Sequence, residues 1–241
     1  MLLNDAGKPD APADNDLAES EATKSAVPKS DATVCFVRGT HIKTIAGERP
    51  VEALSVNDLI LTMDAGYQPI RWIGSRTLDG NDLAAKPGLR PIRICAGALA
   101  PGLPTGDLIV SPNHRILSRS KIARNMFGFP EVLVAAKDLV FLGGVAIADD
   151  LDVVEYWHFM FDRHQVVYAE GSAAESLFAS GEALAAIPPE ALRELFEIMP
   201  ELARMDARVE KRLARPELTG QPARHLALRH ARQNRAFFAE L

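Results

Sequence analysis

Hydrophobic and polar positions divide the chain into three stretches of different period. Residues 1–33 show no period: Asp, Glu, Ala, Pro, Ser and Lys dominate, and large apolar side chains are almost absent. Such a segment cannot bury enough surface to offset its ordering entropy, which predicts a disordered leader. From Val34 to Gly171 apolar residues come in short runs cut by turn residues. "VCFVRGTHIKTI" meets the turn "AGE", "DLILTMD" meets "AGY", and "PIRWIGSRTL" runs into the loop "DGNDLAAKPG". "LRPIRICAGAL", "DLIVSPNHRILS", "VLVAAKDLV", "GVAIADD" and "VVEYWHFMFDRHQVVYAEG" follow in the same manner. Short runs rich in β-branched and aromatic residues, punctuated by turns, predict a mainly β domain over 34–171.

From Ser172 the period lengthens. In "PPEALRELFEIMPELARM" the residues Leu192, Leu195, Phe196 and Met199 share one helical face, and Pro188 and Pro189 suit a helix start. "ARHLALRHARQNRAFFAEL" reads as a second helix. Residues 172–241 are therefore expected to form an α-helical C-terminal appendage, whose amphipathic faces offer a place for a protein partner. The β region also carries an internal echo. "RPVEALSVNDLILT" (49–62) resembles "EVLVAAKDLVFLGGVAI" (131–147), and "YQPIRWIGSR" resembles "VVEYWHFMFDRH". Two similar halves point to a pseudo-twofold β domain.

Composition narrows the function classes. At 241 residues, 47% of them hydrophobic, there is material for one generous core. A net charge of -5 argues against a nucleic-acid surface, which would carry a basic stripe. Two cysteines, Cys35 and Cys95, allow neither a disulfide framework nor a Cys-x-x-Cys metal knuckle. No motif calls for a cofactor. "MLLNDAGKPD" lacks a charged stretch followed by an apolar run, so no signal peptide is expected. No run of 18 apolar residues is present, so no transmembrane segment is expected. A soluble chain follows, cytoplasmic or exported by another route.

Few residues are placed for chemistry. Cys35 stands where the leader meets the first strand, and a thiol there can attack the peptide bond just before it. Its bland alternative is a small buried hydrophobe. In "DLIVSPNHRILS", Pro112 sets a turn and holds Ser111 extended, so Ser111 and His114 can address one backbone group. Their alternative is a turn serine and a satisfied histidine. His158 and His164 sit at candidate strand positions of even spacing. They read as a polar strand face more readily than as a metal pair, since no third ligand is suggested. Cys95 alternates with Ile92 and Ile94 as a core residue, and His225 and His230 face solvent on the last helix.

Together "CFVRGT" (35–40), "RPVEAL" (49–54), "QPIRWIG" (68–74), "LRPIRICAGAL" (89–99), "SPNH" (111–114) and "HQVVYAEG" (164–171) resemble the Hint superfamily of hedgehog and intein domains, in particular its bacterial members. Ser111 stands where that family's block has Thr, and His114 and His164 fall on two family histidines. The resemblance implies a pseudo-twofold β fold and an autoprocessing reaction on the chain's own N-terminal flank. The Cys35 sulfur would take the Val34 acyl group in an N-to-S shift, and water or a small thiol or amine would cleave the thioester. His114 would act as general acid on the Cys35 nitrogen, Ser111 would orient the peptide, and His164 would assist. After "VVYAEG" the chain reads "SAAESL", without the Asn that splicing needs, so cleavage or transfer at Val34–Cys35 without full splicing is expected. Two alternatives stay open: a non-catalytic β-rich interaction module that keeps the fold, and a trans-acting Cys/His peptidase. The last is disfavoured, because Cys35 opens a strand beside its own leader and not a helix whose dipole would lower its pKa.

Overall fold

The computed structural model describes residues 34–178, 192 and 213–239. The leader and, apart from Leu192, the first expected tail helix lie outside the described residues. The first half of the domain contains β1 (Phe36–Val37), β2 (His41–Thr44), β3 (Gly47–Pro50), β4 (Leu59–Thr62), β5 (Gly66–Pro69), β6 (Trp72–Leu78) and β7 (Ile92–Ile94). The second contains β8 (Leu108–Val110), β9 (Arg115–Arg119), β10 (Glu131–Ala135), β11 (Val145–Ile147), β12 (Val154–Met160), β13 (Val166–Ala169) and β14 (Ser172–Glu175). A short β15 (Glu217–Leu218) follows in the C-terminal segment.

These strands form two sheets. The first has the order β11-β7-β8-β1-β12-β6, and the second β15-β10-β9-β14-β13-β2-β4-β5, with β3 on β2. The protein is thus mainly β, as the turn-punctuated runs predict. The internal echo is real as well. Read outward from the β13–β14 hairpin, the second sheet is palindromic: β13 pairs β2, which pairs β3, and β14 pairs β9, which pairs β10. Ile42 faces Ala169 in one half, and Ile116 faces Ala174 in the other. Each hairpin is followed by a one-turn 3-10 helix, Val51–Ala53 after β3 and Ala136–Asp138 after β10. Both helices start on the same contact: the Val51 N–H donates to the Thr40 carbonyl at 2.8 Å, and the Ala136 N–H donates to the His114 carbonyl at 2.8 Å. The echoing strands β6 and β12 pair with each other over their full length.

One apolar core joins both sheets, with Phe36, Ile42, Ile60, Val110, Ile116 and Phe159 among its members. Phe36 is 2% exposed and stacks on Phe159 at 5.6 Å. Burying a phenylalanine contributes about 1.5–3 kcal/mol, enough to pin a two-residue strand and the Cys35 that precedes it.

Several expectations need correction. The loop read in "DGNDLAAKPG" contains a helix, α1 (Gly80–Ala85), held by a reciprocal capping box between Asp79 and Asp82. A second helix, α2 (Lys121–Phe127), is capped by Ser120 and closed by Gly128 at a φ of 81°. The β sheet does not stop at Gly171, since β14 lies inside it between β13 and β9. The tail helix expected over 223–241 forms only as α3 (Gln221–Gln233), closed by Asn234 at a φ of 48°. The segment that carries it is more than a helical appendage. β15 runs parallel to β10, Arg215 bridges Asp64 and Glu131, Arg224 bonds buried Asp138, and Phe237 enters the core. His230, expected at the surface, is 1% exposed; its Nε2 lies 3.1 Å from the Ser120 hydroxyl. Cys95 is half-buried and follows the end of β7 in place of filling the core. Among the described residues no helix is long and apolar enough to cross a membrane.

Candidate active site

Strand pairing places the nucleophile candidate. β1 is antiparallel to β8 on one side, with Phe36 opposite Val110, and to β12 on the other, with Phe36 opposite Trp157. One step back along the chain, Cys35 therefore faces Ser111 on one flank and His158 on the other. Ser111 brackets its backbone. The Cys35 N–H donates to Ser111 Oγ at 3.0 Å, and the Ser111 N–H donates to the Cys35 carbonyl at 2.9 Å. The hydrogen at the departing side of the Val34–Cys35 bond thus points at a hydroxyl oxygen.

His114 closes the loop between β8 and β9. Its own N–H donates to the Ser111 carbonyl at 3.0 Å, the turn that Pro112 initiates. Its ring is fully buried, meets the edge of Phe36 at 4.4 Å, and places Nδ1 3.0 Å from the Cys35 carbonyl oxygen. A carbonyl only accepts, so Nδ1 carries the proton. Nε2 is buried and makes no hydrogen bond. Burial pulls the His114 pKa down to about 4, against the opposing charge of Glu175 and the bond to the Cys35 carbonyl.

The group at the sulfur is His158. Cys35 Sγ lies 3.5 Å from His158 Nδ1. The imidazole stacks on Trp72 at 5.1 Å. A Cβ at residue 74 would lie 2.6 Å from the Trp72 ring and 3.4 Å from His158 Nε2, so only glycine lets this stack form over β6. Burial also pulls the His158 pKa down to about 4, which leaves a neutral imidazole able to accept a thiol proton. Cys35 itself is 3% exposed; burial pushes its thiol far up, and the Arg76 charge and the Ser111 hydroxyl oppose this only in part. The resting sulfur is a protonated thiol, not a free thiolate.

His164 sits elsewhere. It lies in the loop between β12 and β13, off the strand face it was expected to share with His158. The Ala214 N–H donates to its Nδ1 at 2.9 Å, so its Nε2 carries a proton and donates to Glu175 Oε2 at 3.1 Å. Its two ring nitrogens are thereby engaged away from Cys35, Ser111 and His114. Among the described residues no cluster of histidine, cysteine and acidic side chains could hold a metal ion.

Of the four residues singled out in the sequence, the fold brings Cys35, Ser111 and His114 into contact and leaves His164 behind Glu175. Two residues were given no part in the chemistry by the sequence reading. His158 looked like one more polar strand position, and only the β1–β12 register puts it against the sulfur. Glu175, in "SAAESL", drew no reading of its own, yet its side chain is wholly buried.

The family model described as Hint domain matches residues 34–181. Among solved structures, the bacterial intein-like domain from Clostridium thermocellum is similar at 13% identity, with 59% of this chain and 97% of that one covered and a TM-score of 0.40. The gp41-1 intein is similar at 12% identity, covering 58% and 97%, with a TM-score of 0.34. A class 3 split intein, AceL NrdHF, is similar at 17% identity, covering 59% and 97%, with a TM-score of 0.36. No curated protein matches the sequence. With well over half of the chain matched by that family model, and with Cys35 at the head of the matched region, this protein belongs to the Hint domain family.

Proposed function

We propose that the domain cleaves or transfers its own N-terminal flank at the Val34–Cys35 bond through an N-to-S acyl shift, without full splicing. The observation that carries this reading is the bracketing of one residue. Cys35 has its N–H on Ser111, its carbonyl on His114 and its sulfur beside His158.

The reaction balances without an outside reagent until the last step. His158 Nδ1 takes the thiol proton as Sγ attacks the Val34 carbonyl carbon. A buried thiol resists ionisation, so the base must sit at the sulfur, and a neutral imidazole fits that need. The tetrahedral intermediate collapses by breaking the C–N bond, and the electron pair goes to the Cys35 nitrogen. That nitrogen needs a proton. Ser111 Oγ touches it, and a proton reaches it from His114 in its imidazolium form. The proton that His158 took from sulfur leaves to water as His114 is recharged from water, so none is gained or lost overall. Sulfur has lost one proton and nitrogen has gained one, and a thioester replaces the amide. Water, a thiol or an amine then takes the acyl group and frees the flank. His164 acts at one remove, through Glu175.

Intact-mass spectrometry of the purified chain, with and without dithiothreitol, tests the reading. The expected result is loss of residues 1–34, faster with thiol and absent in Cys35→Ala. A wild-type chain that stays full length under both conditions overturns it. One observation favours the other reading, a non-catalytic module: burial holds the Cys35 thiol in its unreactive form. That reading predicts that the wild type stays as intact as Cys35→Ala.

A further inference from the structure

Glu175 is a charged side chain with no exposure, and none of the proton transfers above passes through it. Its carboxylate is fully engaged. Oε1 accepts from the Arg115 N–H at 2.9 Å, both oxygens accept from Arg115 Nη1 at 3.1 and 3.0 Å, and Oε2 accepts from His164 Nε2 at 3.1 Å. Arg115 is the residue after His114. It also reaches Glu217 of β15 at 2.6 Å. The carboxylate therefore grips the strand end that presents His114 to Cys35.

We propose that Glu175 is a positioning residue for His114: fixed by His164 and Arg115, it anchors the start of β9 and supplies the buried negative charge that an imidazolium at His114 requires. This rests on the cleavage reading for its functional meaning, though its physical content does not. Three observations converge. To act as an acid, His114 must carry a second proton on Nε2, the buried ring atom that makes no hydrogen bond while the imidazole is neutral. The Glu175 charge and the Glu175 backbone both favour that protonated form, while Arg115 opposes it. Burial raises the Glu175 pKa, but the bond from His164 and the charge of Arg115 outweigh it and keep the group ionised. The C-terminal segment takes part, because the Ala214 N–H sets the His164 tautomer that donates to Glu175.

The pseudo-twofold supplies a matched control. In the other half the His41 N–H donates to Glu170 Oε1 at 2.7 Å, in the same relation to β2 that Arg115 and Glu175 have to β9, but away from Cys35. The test is the imidazole titration of His114 by NMR in a Cys35→Ala background, which needs no turnover. Glu175→Gln and the double variant Glu175→Gln/Arg115→Gln, which leaves no unpaired buried charge, are compared with Glu170→Gln. The expected result is a fall of about one unit in either Glu175 variant, including loss of any titration in the folded range, and no change in Glu170→Gln. One unit corresponds to about tenfold less imidazolium at neutral pH, hence about tenfold slower leader release in a Cys35-intact Glu175 variant. An unchanged His114 midpoint in the Glu175 variants overturns the proposal. A wild type that never cleaves overturns the cleavage reading alone, and the titration still decides the role of Glu175.

Discussion

The two pseudo-symmetric turns of this domain start from one design and end with different uses. In each, a strand of the first sheet enters a turn, the turn delivers a strand of the second sheet, and a glutamate accepts the first N–H of that strand. The first turn holds Gly39, Thr40 and His41; the second holds Asn113, His114 and Arg115. Thr40 spends its hydroxyl on the Val37 carbonyl of its own turn at 2.7 Å. His114, in the equivalent place, turns its ring toward a residue from the other half, the Cys35 carbonyl. His41 is half-exposed beside Glu170, whereas Arg115 and His164 close over a Glu175 that solvent does not reach. The backbone scaffold is thus reproduced, and the difference comes from what the second copy does with its side chains. The first copy contributes Cys35 at its head and a closed turn behind it.

The largest expected break in this comparison is His114→Ala against Thr40→Ala. The first should slow leader release by about a hundredfold or more, the scale of a lost general acid. The second removes one buried hydrogen bond, about 1 kcal/mol of stability, and leaves the rate within a few-fold. Time-resolved intact mass and urea unfolding check both. Equal slowing in the two variants would mean that the turns share a purely structural role.

Next comes Arg115→Ala against His41→Ala. Removing Arg115 leaves the wholly buried Glu175 carboxylate without its guanidinium partner and is expected to cost about 3–5 kcal/mol. Removing His41, whose ring is half in solvent, is expected to cost under about 1 kcal/mol. Urea midpoints at neutral pH decide it.

Acid should act on the second half and on β12. His114 and His158 have folded pKa values of about 4, below the ordinary 6.5. Each binds a proton more weakly when folded, so its contribution is present above about pH 6.5 and is lost as pH falls to about 4. A shift of that size is worth on the order of 3 kcal/mol per histidine. Thermal melts between pH 7 and about 4 should therefore show a steep loss, flattened in His114→Gln/His158→Gln. A parallel curve in the double variant would place the acid sensitivity elsewhere.

The smallest effect belongs to Gly39→Ala. Gly39 has a φ of 90° with nothing within 4 Å of an added Cβ, so the cost is backbone strain alone, about 1 kcal/mol. Cleavage should be unaltered in the same intact-mass assay, because nothing from that turn reaches the sulfur.

Much of the fold was legible because its causes are local. Turn residues between β-branched runs mark strands at any position, and the "VEAL"/"AKDL" echo marks the doubling, though not the 3-10 helix that each copy forms. The helices α1 and α2 were missed although their cap residues, Asp79 with Asp82 and Ser120, are visible in the sequence. Each is too short for an apolar period to show. Cys35, Ser111 and His114 were legible because a leader boundary and one tight turn define them. His158 was not. It lies 123 residues from Cys35, and a slip of one residue between β1 and β12 would turn it to the opposite face of the sheet.

By itself, then, the sequence determined the class of fold, the doubling of its β domain, and the hydroxyl and imidazole that the fold sets around Cys35, because those follow from local pattern and short spacing. Tertiary structure alone decided which imidazole meets the sulfur, why His164 contacts Glu175 and not Cys35, and how the C-terminal segment becomes part of the sheet. Those outcomes depend on strand register and on the burial of charge, and no local stretch of chain encodes either.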